Sequence, residues 1–526
     1  MSLITMEKEE NSKANVFFDK NRGGRLLTVI LFLVLSVAGF AFSIYLFYIS
    51  NNLYDYALAV SFLALSLVAC FFNIYAAHWY YKSYFYDEYL ARIKRHLKPL
   101  RTLPTVAIVM PTYNEDTGEV KSNLARLKQM DYPKNKMHFF LLDDSTDRQA
   151  NAELESFCND MQITYIHRDD RKGYKAGALN NFMRYSDDEF VAIFDADERL
   201  TNTAFLRDIL PYFQNRNLSF VQTEKRYAKG TFFSDTVDIF DAFFFKFIEP
   251  ARALNNTAVF AGSCGIIRKT ALDRIGGFPE YVIEDTFFSF ESDMHDYKSL
   301  YVPNVYALGR PILTFTSLVK QQWRYNYGDT QFISYFLKRN RGSKTKSLAH
   351  MDYITHGFGL NYISVFLILF TIVSIGIVFS NVPFIHLDIL NVATFASLTN
   401  DFEIFGFLAF MLSIFTPAII SKIYFNSLRK GIMVFLLNYA LAIIRTKAAI
   451  ATFFKGNPGV NWNRSAGIGN RLANAVSNTK VELAFSSMLF VLGYMALLFS
   501  NIAGWIWLSW YGILYLLATV FHRKYG

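Results

Sequence analysis

The sequence predicts an α/β domain with a mostly parallel sheet, inserted in an α-helical transmembrane bundle. Apolar residues make up 52% of the 526, but they gather before residue 82 and after residue 356, leaving a charge-rich middle. Within that middle, short β-rich runs end in polar clusters and alternate with helix-like segments. This is the pattern of a parallel sheet covered by helices, with its ligand outside the carboxyl ends of the strands.

The apolar runs come first in the chain. Residues 26–48 and 57–80 lack Asp, Glu, Lys and Arg, and each is long enough to cross a hydrocarbon core of about 30 Å. The link Ser50-Asn51-Asn52 makes them a hairpin. Lys20, Arg22 and Arg25 flank it on one side and Lys82, Arg92, Lys94 and Arg95 on the other, so the positive-inside rule places both flanks in the cytosol. The N-terminus is polar and mixed in charge, which fits a retained anchor and no cleavable signal peptide.

From residue 105 the period changes. TVAIVMPTYNE (105–115), MHFFLLDDST (137–146) and EFVAIFDADE (189–198) read as strands running into polar ends, with helices expected over 119–130, 148–161 and 175–185. Residues 231–254 place Phe232, Val237, Phe240, Phe244 and Phe247 near one face. We read them as a helix lying at the membrane interface, with a core helix as the plainer alternative.

Beyond residue 356, spans are expected over 357–380 and 404–421, and two more within 483–521 around a turn near Ser500-Asn501. The stretch 431–455 is different. It is apolar only to residue 444, meets Arg445 and Lys447, and has basic residues on both sides, so it reads as an interfacial helix. Six spans result, with both termini and the charge-rich middle inside. The expected domains are a tail (1–24), a hairpin (25–81), a nucleotide-binding half (82–230), an acceptor half (231–345), two spans (346–424), an interfacial helix and loop (425–480), and a final hairpin (481–526).

Charge and cysteine content narrow the function. The net charge of +9 is that of Lys and Arg beside anionic lipid, and no basic run interleaved with aromatics points to nucleic acid. Cys70, Cys158 and Cys264 are far apart and form no CxxC, which excludes a Cys-based zinc site and suits a reducing compartment.

Four clusters carry chemistry. Pro111-Thr112-Tyr113-Asn114-Glu115 offers an aromatic face and hydrogen-bonding groups to a nucleobase, although alone it is an ordinary strand-end turn. Asp143-Asp144 and Asp195-Ala196-Asp197 follow the next strands; two carboxylates one residue apart can share Mg²⁺ or Mn²⁺, with phosphate oxygens filling other positions. Between them, Lys172 to Asn180 opens a helix with small residues, and Lys175 can reach a phosphate; no GxxxxGK[ST] is present. Glu284-Asp285 can supply a general base, or else a strand-end salt bridge. Gln321-Gln322-Trp323-Arg324-Tyr325 combines amide, cation and aromatics suited to a sugar, and equally reads as a basic helix at the membrane surface.

Taken together, PTYNE, DDST, KAGALN, DAD, FAGSCGIIRK with GGF, ED and QQWRY stand in the order found in processive family 2 glycosyltransferases, the cellulose synthase and hyaluronan synthase group, which residues 104–330 resemble. The resemblance implies a GT-A fold and inverting transfer from a UDP-sugar donor to a growing polysaccharide or glycan acceptor. It assigns Thr112, Tyr113, Glu115, Asp143, Asp144, Lys175, Asp195, Gln321 and Arg324 to the nucleotide sugar, and Asp195 and Asp197 to the metal. Asp285, beside Glu284, becomes the base; Tyr325, Trp323 and the Phe260–Cys264 loop, Cys264 included, face the acceptor. Three departures stand out: Tyr325 replaces the usual Trp, Ile283 replaces a Thr, and Trp462-Asn463-Arg464-Ser465 stands where a gating-loop pattern is expected. The expected function is thus a UDP-sugar polymerase, with UDP-glucose and a β-glucan-type product foremost, that exports its chain through its own bundle at the plasma membrane. The alternative is an enzyme adding a single sugar to a lipid carrier or glycan. A transporter would need ionisable residues in its spans or inverted repeats, and the spans drawn here have neither.

Overall fold

A computed structural model of the chain describes residues 22–50, 53–339, 351–356, 418–454, 471–498 and 502–526, with a few positions between 364 and 376. The expected spans 357–380 and 404–421 therefore lie almost wholly outside the described residues, as do the tail to residue 21 and Trp462 to Ser465.

Helices α1 (Arg22–Ile49) and α2 (Leu53–His96) form the first hairpin. α2 runs on past its apolar stretch into the soluble domain, where Tyr86 and Leu90 join the main core and the Tyr86 hydroxyl donates to the Tyr301 carbonyl. One continuous helix thereby fixes the N-terminal hairpin to the α/β domain.

That domain is built on β1 (Val106–Thr112), β2 (Met137–Asp143), β3 (Thr164–His167), β4 (Phe190–Ile193), β6 (Leu218–Thr223), β8 (Gly265–Arg268) and β9 (Lys298–Val302), in the order β3-β2-β1-β4-β8-β6-β9. The first four strands are parallel, as the near-continuous apolar runs of β1, β2 and β4 predict. β8 is antiparallel to both β4 and β6, a reversal the sequence does not announce. Thr112 pairs with Asp143, which in turn pairs with His167, so the polar ends of three strands lie side by side. A smaller sheet, β5 (Glu198–Leu200), β10 (Ala307–Gly309) and β7 (Arg226–Tyr227), follows the end of β4.

The covering helices fall close to expectation: α3 (Thr117–Leu127), α4 (Arg148–Asp160) and α5 (Tyr174–Phe182). Asp116 and Asp147 cap the first two by accepting from the Glu119 amide and from the Gln149 and Ala150 amides. α6 (Phe205–Ile209) and α9 (Lys269–Ile275) are short.

Residues 231–254 are helical but not one helix. α7 (Phe232–Phe243) passes through a π turn (Phe244–Ile248) into α8 (Glu249–Leu254). Of the five apolar residues expected on one face, only Phe232 stands exposed; Phe247 stacks on Tyr80 at 4.3 Å and meets Tyr424 edge-on. The aromatic face is therefore covered by neighbouring helices, in place of the open interfacial face expected.

The YVIED segment also differs from expectation. Glu284 and Asp285 open α10 (Glu284–Met294), so they stand at a helix N-terminus and not at a strand end. Farther on are α11 (Phe315–Arg339), α12 (Leu428–Phe454), α13 (Arg471–Asn478), α14 (Lys480–Leu498) and α15 (Ile502–Tyr525); the last two flank the turn expected near residue 500. α12 is longer than its apolar run suggested. The charges that ended the run are accommodated, Arg445 being fully buried and Lys447 paired with Glu482 at 3.0 Å. Among the described residues, three helical segments are long and apolar enough to cross a membrane: Leu26–Tyr45, Leu428–Phe454 and Lys480–Leu498.

Candidate active site

The carboxyl ends of β1, β2 and β3 form the first wall of a cleft. The loops after β1 and β2 are tied together: the Ser145 hydroxyl accepts from the Asn114 amide (2.8 Å), and the Asn114 side chain accepts from the Thr146 amide (2.9 Å). Thr112 is buried, and its hydroxyl has no hydrogen-bond partner among the described residues. Tyr113 carries the Arg171 guanidinium 3.3 Å from its ring centre. Asp143 is fully buried and accepts from the Tyr165 hydroxyl (2.7 Å) and the Ser145 amide (2.9 Å). Arg168 grips Asp144 with two nitrogens (2.8 and 2.5 Å) and donates to the carbonyls of Lys172 and Tyr174. Glu115 lies 3.8 Å from Arg310, whose main-chain amide donates to the Asp197 carbonyl.

The next wall is an ion-pair hub after β4. Gly173, at φ 73°, turns the chain into α5 and presents Lys175, whose ammonium donates to Asp195 (2.5 Å) and to the Gly262 carbonyl (2.9 Å). Lys225, just past β6, contacts the second Asp195 oxygen at 3.4 Å, Glu198 at 3.1 Å and the Ser263 hydroxyl at 2.5 Å. Burial opposes ionisation of Asp195, but the two lysines prevail and hold its carboxyl below the usual range. Asp195 and Asp197 are both half-buried, and among the described residues no three His, Cys, Asp or Glu side chains converge into a ligand set. A hard divalent cation fits this pair only if phosphate oxygens and water complete its shell.

Opposite stands the wall formed by the 260–264 loop and the start of α10. Gly262 has φ 79°, and a Cβ there would lie 3.0 Å from the Asp285 carboxylate and 3.5 Å from the Lys175 ammonium, so the loop backbone passes directly beneath both. The Thr286 amide donates to Asp285 at 2.8 Å. Burial, then the charge of Asp285, pushes the Glu284 carboxyl up to about 7, and burial raises Asp285 as well. Lys175 and Arg324 are the cations that oppose these shifts.

The QQWRY segment lies on α11. The Gln321 amide nitrogen donates to the Tyr227 hydroxyl (3.0 Å) and, more weakly, to that of Tyr325 (3.4 Å); its carbonyl oxygen is buried with no hydrogen-bond partner among the described residues. The Arg324 guanidinium lies 5.3 Å from the Tyr325 ring. Trp323 is half-buried on the same helix. Cys264 is buried below the 260–264 loop, where burial and Glu198 raise its thiol.

Lys175, Asp195, Glu284, Asp285 and Arg324 are thus brought to one place, while Thr112 to Asp144 line the adjoining end of the sheet. The sequence reading missed Arg168, Arg171, Lys225 and Arg310. Glu198 was within reach of it, as the last residue of DADE.

Residues 107–276, which hold both the strand-end carboxylates and the lysine hub, match the family described as "Glycosyl transferase family 2". They form a family 2 glycosyltransferase domain. The chain is 31% identical over 238 residues to the cellulose synthase catalytic subunit of Pseudomonas fluorescens (strain SBW25), an alignment spanning 44% of this chain and 32% of that one. The glucomannan 4-beta-mannosyltransferase 7 of Arabidopsis thaliana is 28% identical over 269 residues, 48% of each chain. The chain therefore spans less than half the length of these relatives. A mannosyltransferase of Pyrobaculum calidifontis, solved with GDP-Man and Mn²⁺, superposes with a TM-score of 0.50 at 17% identity, over 76% of this chain and 99% of its own. The likeness shows the GT-A fold.

Proposed function

We propose that the protein is an inverting, processive membrane glycosyltransferase. It would polymerise sugar from a UDP-sugar, UDP-glucose foremost, into a β-glucan-type chain passed outward through its own helices, working from the cytosolic side of the plasma membrane. The observation that carries this reading is the meeting of a lysine pair suited to phosphate with two buried carboxylates, which make no contact ion pair among the described residues, across Gly262 and beside a helix whose Gln321 side-chain carbonyl has no partner there. The names of the cellulose synthase relatives support the polymer, and the QQWRY segment supports elongation.

In this reading Tyr113 and the strand ends hold the nucleoside, and the diphosphate displaces Asp195 from Lys175 and Lys225. Mg²⁺ or Mn²⁺ held by Asp195 and Asp197 would neutralise charge on the diphosphate. Asp285, ionised, takes the proton of an acceptor hydroxyl; that oxygen forms its bond to the anomeric carbon as the bond to the nucleoside diphosphate breaks on the opposite face. One new glycosidic bond and one released UDP result.

Full-length protein in lipid vesicles, given UDP-glucose, UDP-N-acetylglucosamine and GDP-mannose in turn, tests this by nucleotide release and product size. Nucleotide release with UDP-glucose and a high-molecular-weight product are expected. Product limited to one added sugar would establish the single-transfer enzyme, and use of GDP-mannose alone would move the donor assignment. Asp197→Asn should lower metal-stimulated turnover by roughly a hundredfold or more, since a charged oxygen ligand is lost; full activity of that variant in chelator would remove the metal from the site.

A further inference from the structure

Arg445 has no part in the chemistry above, yet it is fully buried on α12, one of the helices apolar enough to span a membrane. An ionisable side chain in such a place is costly and is retained with a partner. Its Nε and Nη2 both donate to the Gln322 side-chain oxygen (3.1 and 2.7 Å), and Nη1 donates to Asn438 (3.2 Å). The same guanidinium lies 5.3 Å from the Phe240 ring and acts electrostatically on Asp241 and Asp329. Asp241 accepts from the Tyr227 hydroxyl at 2.8 Å, and Tyr227 accepts from Gln321. Gln321 and Gln322 are consecutive, about 100° apart around the helix. Holding both of them therefore fixes the rotation of α11 about its axis. Arg324 and Tyr325, three and four residues beyond Gln321, share its face and turn with it.

We propose that Arg445 is a positioning residue for acceptor binding: from α12 it locks the rotation of α11 and so aims Gln321, Arg324 and Tyr325 into the cleft. The inference rests on the glycosyl-transfer reading, but concerns a residue on another element. Arginine is suited to the task because its planar fork reaches Gln322 and Asn438 together, whereas a lysine ammonium reaches one.

The test uses the full chain in vesicles and compares wild type with Arg445→Lys, Arg445→Met and the Gln322→Met/Arg445→Met pair. Three quantities are read on the folded fraction: nucleotide released to water without acceptor, donor KM, and product length. Arg445→Lys should cut product length by about tenfold, the worth of one charge-assisted hydrogen bond, with donor KM and release to water changed less than about twofold. Arg445→Met should do the same or fail to fold, in which case the Lys variant decides. Wild-type product length in folded Arg445→Lys, or equal loss of release to water and of length, would overturn the positioning role. Restored length in the double variant would overturn it too, because apolar packing would then suffice. Wild-type protein that releases no nucleotide would instead sink the glycosyl-transfer reading itself.

Discussion

The two walls of the cleft handle charge in opposite ways. On the donor side three carboxylates meet a cation at close range: Asp144 meets Arg168 at 2.5 Å, Asp195 meets Lys175 at 2.5 Å and Lys225 at 3.4 Å, and Glu115 meets Arg310 at 3.8 Å. On the acceptor side Glu284 and Asp285 are packed together with no ion pair among the described residues, and the Gln321 carbonyl has no partner there. An ion pair is a holding arrangement that an anionic diphosphate can replace without exposing a bare charge. Acceptors held without a contact ion pair suit a neutral polyol, whose hydroxyls supply further donors. In the proposed reaction the walls differ because their ligands do.

The strongest way to break this comparison is Asp285→Asn. If Asp285 acts on the acceptor hydroxyl, transfer should fall about 10²–10⁴-fold while UDP binding, measured by calorimetry, stays within about threefold. Loss of UDP affinity in step with rate would put Asp285 on the donor wall and erase the division.

Next in size comes pH. Burial and mutual repulsion lift the Glu284–Asp285 pair, with Glu284 pushed up to about 7. A base works only when ionised, so the transfer rate should rise with pH through an acid limb near neutrality that belongs to the pair and to neither residue alone. Glu284→Gln removes the repelling charge and should shift that limb to lower pH. Asp195, whose lysines hold its carboxyl down, titrates well below this range and leaves the limb untouched. A profile flat from pH 5 to 8 would contradict the uncompensated pair.

These two walls were not equally legible in the sequence. β1, β2 and β4 read as apolar runs ending in polar residues, and parallel register then aligns those ends without further information, as Thr112 beside Asp143 illustrates. Asp143 and Asp144 were found for that reason, but their partners Tyr165 and Arg168 were not, because β3 is short and half-exposed and carries no periodic signal. Lys225 was hidden similarly: its place depends on β8 reversing direction between β4 and β6, a long-range pairing that leaves no local trace. Glu284-Asp285 was recognised by composition but put on the wrong element, since Ile283 lacks a capping side chain and the helix start carries no usual signature. A helix over 431–455 was legible, and α12 spans Leu428–Phe454, but the burial of Arg445 was not, because the Gln322 that accepts from it lies on a distant helix.

The smallest expected effect sharpens the comparison most finely, because Tyr325 belongs to the acceptor wall by its ring and to the polar network by its hydroxyl. The ring packs against the apolar cluster that joins α10 and α11, Ile283 and Phe332 among its members, and the hydroxyl lies 3.4 Å from the Gln321 nitrogen, at the long end of a hydrogen bond. Tyr325→Phe should therefore cost less than about 1 kcal/mol, a factor of five or less in elongation rate, with Gln321 still held by Tyr227. Tyr325→Leu keeps bulk but loses the flat face that stacks on a sugar, and should shorten the product by more than the Phe variant does while leaving release to water unchanged. Tyr325→Trp should preserve length, as a larger ring on the same platform. If Leu, Phe and Trp all gave wild-type length, the ring would serve only as packing for α10 and α11. The acceptor wall would then rest on Gln321 and Arg324 alone. If Phe proved worse than Leu, the hydroxyl would matter more than the ring, and the weak contact to Gln321 would have to shorten when acceptor binds.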